Sequence, residues 1–228
     1  GEAYFAMRKN PIMKIGPQPH RTSAISSSNE DTILVRGHDL CSELIGRVSF
    51  TDHVWLLITG TLPGDVQRRV LDATLVAIAE HGLVPSVQAS RLTFAAAPEA
   101  LQGAVAAGIL GCGSVILGAT HEAGQLLHEV VTRASAQSLD SAATAVVGEY
   151  RAARRAIPGY GHPLHKAADP RVTRLFEVAA AVGSRGPHIE AAHAIERALP
   201  AATGKQLAMN LSVAIPAVLL DAEFPLAA

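Results

Sequence analysis

Aromatic residues are scarce in this chain, making up 4% of 228 residues, with a single Trp. Its core must therefore be aliphatic. With 49% hydrophobic residues and frequent alanine, the composition favours closely packed helices. An excess of charge of one sign is also missing. The formal net charge of −1 leaves no global field to draw in nucleic acid or an anionic membrane, so an anionic ligand must be met by local arginines. Cysteine is limited to Cys41 and Cys112, which suits a reducing cytoplasm better than a disulfide scaffold. Neither has the basic neighbour that would activate a thiolate.

One uncharged stretch, residues 100–120, is long enough to raise the question of a membrane span of about 20 apolar residues. Its glycines, Gln102 and Ser114 speak against one. It reads instead as a buried helix interrupted near Gly111-Cys112-Gly113 and close-packed through Ala104 and Gly108. No secretory signal is visible, because Arg8, Lys9 and Pro11 are not followed by an apolar region. Met7 is a candidate native start. Sustained period-two alternation is absent, as is any 20–50-residue repeat. The chain reads as all-α.

The spacing predicts a helix over 50–59, started by Ser49 and stopped by Gly60. A second is predicted over 66–81, with Val66, Val70, Ala73 and Ala77 along one face, beside Leu71, Leu75 and Ile78. Further helical patterns cover 98–110, 122–133, 141–155, 170–182, 187–199 and 206–222. Pro216 is expected to kink or divide the last by removing a backbone donor. Residues 1–31 mix Pro, Ser and Asn without period and read as an irregular arm.

Ten histidines are many for a nearly neutral chain, and position has to rank them. His20 lies in the arm, while His53, His128, His188 and His193 fall in helical patterns and read as surface or core-edge residues. His162 stands apart in the run 157–171, IPGYGHPLHKAADPR. Gly159 and Gly161 admit backbone conformations other residues avoid and allow close approach of a ligand. Asp169 and Pro170 read as helix N-cap and first helical residue. The segment is built to present His162. His162 and His165 without a third ligand are weak grounds for zinc, and Gly111-x-Gly113 follows no strand and completes no dinucleotide fingerprint. No permanently bound cofactor or metal is expected.

The same run resembles the signature of the citrate synthase superfamily, in which a Gly-Tyr or Gly-Phe pair leads into Gly-His and then, after a basic stretch, Asp-Pro-Arg. Pro163 after His162, with His165-Lys166 following, is similar to the citryl-CoA lyase-like branch. In the N-terminal half Arg36-Gly37-His38-Asp39, Phe50 and the run 55–63, WLLITGTLP, resemble the same superfamily in the expected order. The resemblance spans Thr32 to about Pro225.

The resemblance implies an all-α subunit of two lobes, 32–121 plus 216–228 and 122–215, with the active cleft between them, and a homodimer. It implies carbon–carbon bond cleavage or formation on a coenzyme A thioester, with citryl-CoA giving acetyl-CoA and oxaloacetate as the reference reaction. His121 and His162 would be the catalytic histidines, His81 and Arg171 would hold the keto-acid, and His165 and Lys166 would meet the coenzyme's phosphates. Each has a plainer reading beside it. His121 is then a helix-capping residue, His81 a C-terminal histidine facing a helix dipole, Arg171 a solvent-exposed first-turn arginine, and the His165-Lys166 pair a solvated basic patch.

Three departures qualify the resemblance. The family turn Gly-Pro-Leu-His-Gly-Gly is here Gly118-Ala119-Thr120-His121-Glu122-Ala123. Where the synthases carry Asn-Val-Asp, whose aspartate removes a methyl proton from acetyl-CoA, this chain has Asn210-Leu211-Ser212. A serine hydroxyl is not anionic at neutral pH, and loss of a positioned base costs ~10²–10⁴-fold. Asp221 lies more than two helical turns beyond and is not a substitute. The chain also stops at Ala228, before the further helices usual in the family, so the larger lobe is expected to be incomplete. A hydroxyl residue at this position also occurs in citryl-CoA lyase-like relatives. The alternatives left open are a catalytically weak CoA-binding or assembly subunit, and a citrate or methylcitrate synthase.

Overall fold

The computed structural model describes residues 23–80, 82–113, 118–162 and 167–227. Contacts divide the described residues into two compact units, one ending at Val48 and one starting at Ser49.

In the first unit, strands β1 (Ser26–Ser28), β2 (Ile33–Val35) and β3 (His38–Asp39) form an antiparallel sheet, with Ser26 opposite Val35 and Leu34 opposite Asp39. β1 falls within the stretch expected to be irregular. The Asn29 side chain accepts from the N–H groups of Asp31 (3.0 Å) and Thr32 (2.8 Å) and closes the turn. Three exposed serines carry no apolar alternation to announce the strand. A π-helical turn, Leu40–Leu44, follows, capped by Asp39. Hydrogen bonds from Ser42 and Cys41 hold the Asp39 carboxyl below its ordinary pKa.

The second unit is built from helices among its described residues, with one isolated bridge between Tyr160 and Met209. α1 (Phe50–Thr59) has the predicted bounds. Ser49 and Asp52 form a capping box, and Gly60 ends the helix at φ 86°. α2 (Asp65–Ile78) buries Val70 and Leu71 and stops three residues short of the predicted end.

α3 (Pro85–Ala96) was not predicted; it packs on α4 (Leu101–Leu110) through small residues. A Cβ at Gly108 would lie 3.3 Å from Ser90 Cβ, and one at Gly111 would lie 2.9 Å from Ser86 Cα. Ala104 is buried as expected, but α4 as a whole is not. Leu101, Val105, Ile109 and Leu110 are 52–86% exposed, because only the small-residue face of α4 is covered. No helix among the described residues is long and apolar enough to cross a membrane.

The remaining helices are α5 (Gly118–Arg133), α6 (Leu139–Ala152), α7 (Pro170–Ala181), α8 (Pro187–Thr203) and α9 (Leu211–Asp221). Leu126, Leu127 and Val130 of α5, Val146 and Val147 of α6, Ile195 and Leu199 of α8, and Val213 and Val218 of α9 are fully buried together. This is the aliphatic core that the composition calls for, joined at one edge by Trp55 packed edge-on against Phe224. α9 runs through Pro216 undivided.

Candidate functional site

The His162 turn is assembled on the segment that leads into α9. Gly159 and Gly161 sit at φ 86° and 84°, a region open to glycine and strained for other residues. Between them Tyr160 is buried, pairs with Met209 in an isolated antiparallel bridge, and donates its hydroxyl to the Ala192 carbonyl of α8 at 2.8 Å. Burial, and secondarily Glu196, push its phenol pKa well above the ordinary value. Gly161 N–H donates to Ala208 O at 2.8 Å, and Asn210 N–H donates to Gly159 O at 2.9 Å. From α8, the Glu196 carboxylate accepts the Met209 N–H at 3.1 Å. Residues 206–209 are therefore not the first turns of the last helix, because Ala208 and Met209 pair with the glycine turn.

α9 starts at Leu211 with Asn210 as its N-cap. Asn210 Oδ1 accepts from Ser212 N–H at 2.9 Å, and Nδ2 donates to the Gly161 carbonyl at 2.7 Å. The structure thus joins the turn carrying His162, itself half-buried, to the helix start carrying Ser212, half-buried at the second helical position. Asn210 was noted in the sequence only as part of a motif. Its signal was a capping residue directly ahead of an apolar run.

Arg171 lies in the first turn of α7 as expected, and Asp169 does more than cap that helix. The buried carboxylate of Asp169 accepts from Arg171 N–H at 3.0 Å, Nε at 3.0 Å and Nη2 at 2.8 Å. This fork holds the guanidinium pKa above its ordinary value against partial burial. Arg171 also borders a cleft of about 440 Å³ between α2 and α7, lined by Ala73, Val76 and Ala77.

His121 is exposed in the first turn of α5, which begins four residues before the predicted start. It faces a different cleft, of about 280 Å³, with Ile215, Pro216, Leu219 and Leu220 of α9. Gly124, one turn further along α5, lets the helices approach closely: a Cβ there would be 3.3 Å from Pro216 Cβ. His121 and Arg171 therefore line separate cavities in this structure. His81, His165 and Lys166 lie outside the described residues.

A third cavity, about 640 Å³, opens between α7 and α8. Its wall includes Ala167, Ala168, Asp169, Phe176, His193, Glu196 and Met209. Asp221 has a structural task at the far end of α9. Its buried carboxylate accepts the N–H groups of His188 (2.9 Å) and Ile189 (3.0 Å) at the start of α8, and lies 2.8 Å from His188 Nδ1. No group of three or more potential metal ligands occurs among the described residues.

Comparison with known proteins extends this picture. The family model for the citrate synthase C-terminal domain matches residues 64–228. Among solved structures, the chain is similar to citryl-CoA lyase from Hydrogenobacter thermophilus, with 32% identity over 88% of this chain and 76% of that one, at a TM-score of 0.79. It shares its fold with ATP citrate lyase from Methanothrix soehngenii in complex with citrate and coenzyme A, at 22% identity and TM-score 0.76, covering 97% of this chain and 34% of that one. A mutant ATP citrate lyase from Methanosaeta concilii in complex with (3S)-citryl-CoA has the same fold, at 22% identity and TM-score 0.75, covering 96% of this chain and 34% of that one. No curated protein matches the chain.

Proposed function

We propose that this chain, which belongs to the citrate synthase family, is a carbon–carbon lyase acting on a coenzyme A thioester, with citryl-CoA cleaved to acetyl-CoA and oxaloacetate. The observation that carries this reading is the joining of the His162 turn to the start of α9 through residues 208–210. It sets a histidine beside a helix start that carries a hydroxyl where the synthases carry their carboxylate. A synthase needs a base there to form the enolate of acetyl-CoA, whereas cleavage generates that enolate from the breaking bond.

In cleavage, His162 takes the proton of the tertiary hydroxyl as that oxygen becomes the carbonyl of oxaloacetate. The electron pair of the broken carbon–carbon bond passes to the acetyl-CoA portion as an enolate, whose oxygen His121 stabilises. Protonation of its carbon by water completes acetyl-CoA, since Ser212 has no proton-transfer pKa near neutrality. Arg171, with Nε and Nη2 engaged by Asp169, would meet a substrate carboxylate through its remaining Nη1 edge, and His81 would share that task; because His121 and Arg171 line separate clefts, one substrate reaches both only if those clefts come together on binding.

The coenzyme is assigned to the neighbourhood of His165 and Lys166. The cavity of about 640 Å³, whose wall takes up the chain at Ala167 and Ala168, has the size of a small-molecule site and supports that assignment. Coenzyme A enters as part of the substrate, with no permanently bound cofactor. A cytoplasmic homodimer completes the reading, and the exposed apolar face of α4 supports the dimer, since such a patch favours burial against another chain.

The test is a cleavage assay with citryl-CoA alongside calorimetry with coenzyme A and oxaloacetate. Release of acetyl-CoA and oxaloacetate is expected. Binding without turnover would replace this reading with that of a CoA-binding or assembly subunit, which the loss of the aspartate at 212 favours.

A further inference from the structure

We infer that Asn210 is a positioning residue for His162, holding the histidine turn in register with the start of α9; the inference rests on the lyase reading above. One short side chain makes two bonds in opposite directions, from Nδ2 to the Gly161 carbonyl at 2.7 Å and from Ser212 N–H to Oδ1 at 2.9 Å. A carbonyl only accepts and an N–H only donates, so the amide has one orientation, and reversing it loses both bonds.

The Gly161 carbonyl belongs to the peptide unit that ends at the nitrogen of His162. A hydrogen bond to that oxygen fixes the plane from which the histidine departs. The bond matters because Gly161 at φ 84° has no side chain to restrict its backbone, and a Cβ there would meet only Leu207 Cδ2, at 3.7 Å. The backbone N–H of Asn210 adds a third tie, to Gly159 O at 2.9 Å. This tie is common to any residue but proline.

The two side-chain bonds can be separated. Aspartate caps a helix as well as asparagine does, so Asn210→Asp retains the bond to Ser212 N–H and sets an oxygen against the Gly161 carbonyl. Only a protonated aspartate could donate to that carbonyl. Asn210→Ser also caps but is too short to bridge to Gly161.

The experiment compares both variants with the wild type in citryl-CoA turnover across pH, thermal unfolding, and the amide and imidazole NMR resonances of Gly161 and His162. We expect Asn210→Asp to stay folded, with a melting temperature lowered by the loss of about one hydrogen bond, and to shift those resonances. Its turnover should fall about 10²-fold near neutral pH, KM should change little, and the ratio to wild type should recover as pH falls through the carboxylate range. Asn210→Ser should lose turnover at every pH. A purely structural role is recognised by wild-type turnover in Asn210→Asp, and that result overturns the inference, as does a ratio to wild type that stays flat with pH. If the wild type fails to cleave citryl-CoA, the lyase reading falls separately. The resonances of His162 then decide, and their identity between wild type and Asn210→Asp overturns the positioning role.

Discussion

A Cβ placed on Gly159 would lie 2.4 Å from Cβ of Val213, so the histidine turn and the first turn of α9 touch with no room for a methyl group. Gly159 also sits at φ 86°, so Gly159→Ala combines overpacking with backbone strain. We expect a loss of about 3 kcal/mol or more, measured by denaturant unfolding. Because the contact is with the Cβ, Cα and N of residue 213, all of which alanine retains, Val213→Ala in the same chain should not restore the loss. A neutral Gly159→Ala would mean that the turn and α9 are not in contact.

Tyr160 links this turn to α8, and its phenol pKa is raised well above 10.0 by burial. The folded chain therefore keeps the phenolic proton where the unfolded chain releases it. The stabilisation is complete below the unfolded value of about 10 and is lost as pH rises towards the folded one. Tyr160→Phe should cost about 1 kcal/mol at neutral pH, from the hydrogen bond to Ala192, and should reduce the alkaline loss of stability. Unfolding free energies at about pH 8 and about pH 11 check this; equal alkaline slopes in variant and wild type would contradict it.

Ser212 occupies the second helical position of α9, where a carboxylate is compatible with the helix dipole. Ser212→Asp should fold normally and raise exchange of the acetyl-CoA methyl protons with deuterium, by restoring a base at this position. Proton NMR of acetyl-CoA in deuterated buffer gives the rate. An unchanged rate would mean that position 212 does not face the acetyl group.

The bare face of α4 gives a prediction about assembly. Light scattering should return twice the 23.7 kDa chain mass for the wild type, and Ile109→Glu, at a position 67% exposed, should return a monomer with wild-type helicity. A monomeric wild type would remove the homodimer from the account.

What could be read in the sequence followed the range of the interactions involved. α1 was legible to the residue because Ser49, Asp52 and Gly60 act within one turn of its ends. α3 was not, because its contacts run through Ser86 and Ser90 to glycines of α4, while Leu92 and Phe94 stay exposed and give no buried apolar stripe. The last helix was predicted five residues too early for a similar reason. Gln206 to Met209 carry helix-compatible side chains, but Ala208 and Met209 are held by a turn nearly fifty residues away, as the separation of 49 between Asn210 and Gly161 shows.

At the site, His162 was legible from its flanking glycines, whose positive φ the structure bears out. The fork between Arg171 and Asp169 was hidden because a residue read as an N-cap also serves as a buried counter-ion. The task of Asp221 was equally hidden, since its partners His188 and Ile189 are supplied by another helix.

The most direct measurement is citryl-CoA cleavage by His162→Ala. His162 sits half-buried on the turn, and the variant should remain folded and lose turnover by ~10²–10⁴-fold. Near wild-type cleavage by a folded His162→Ala would contradict the account.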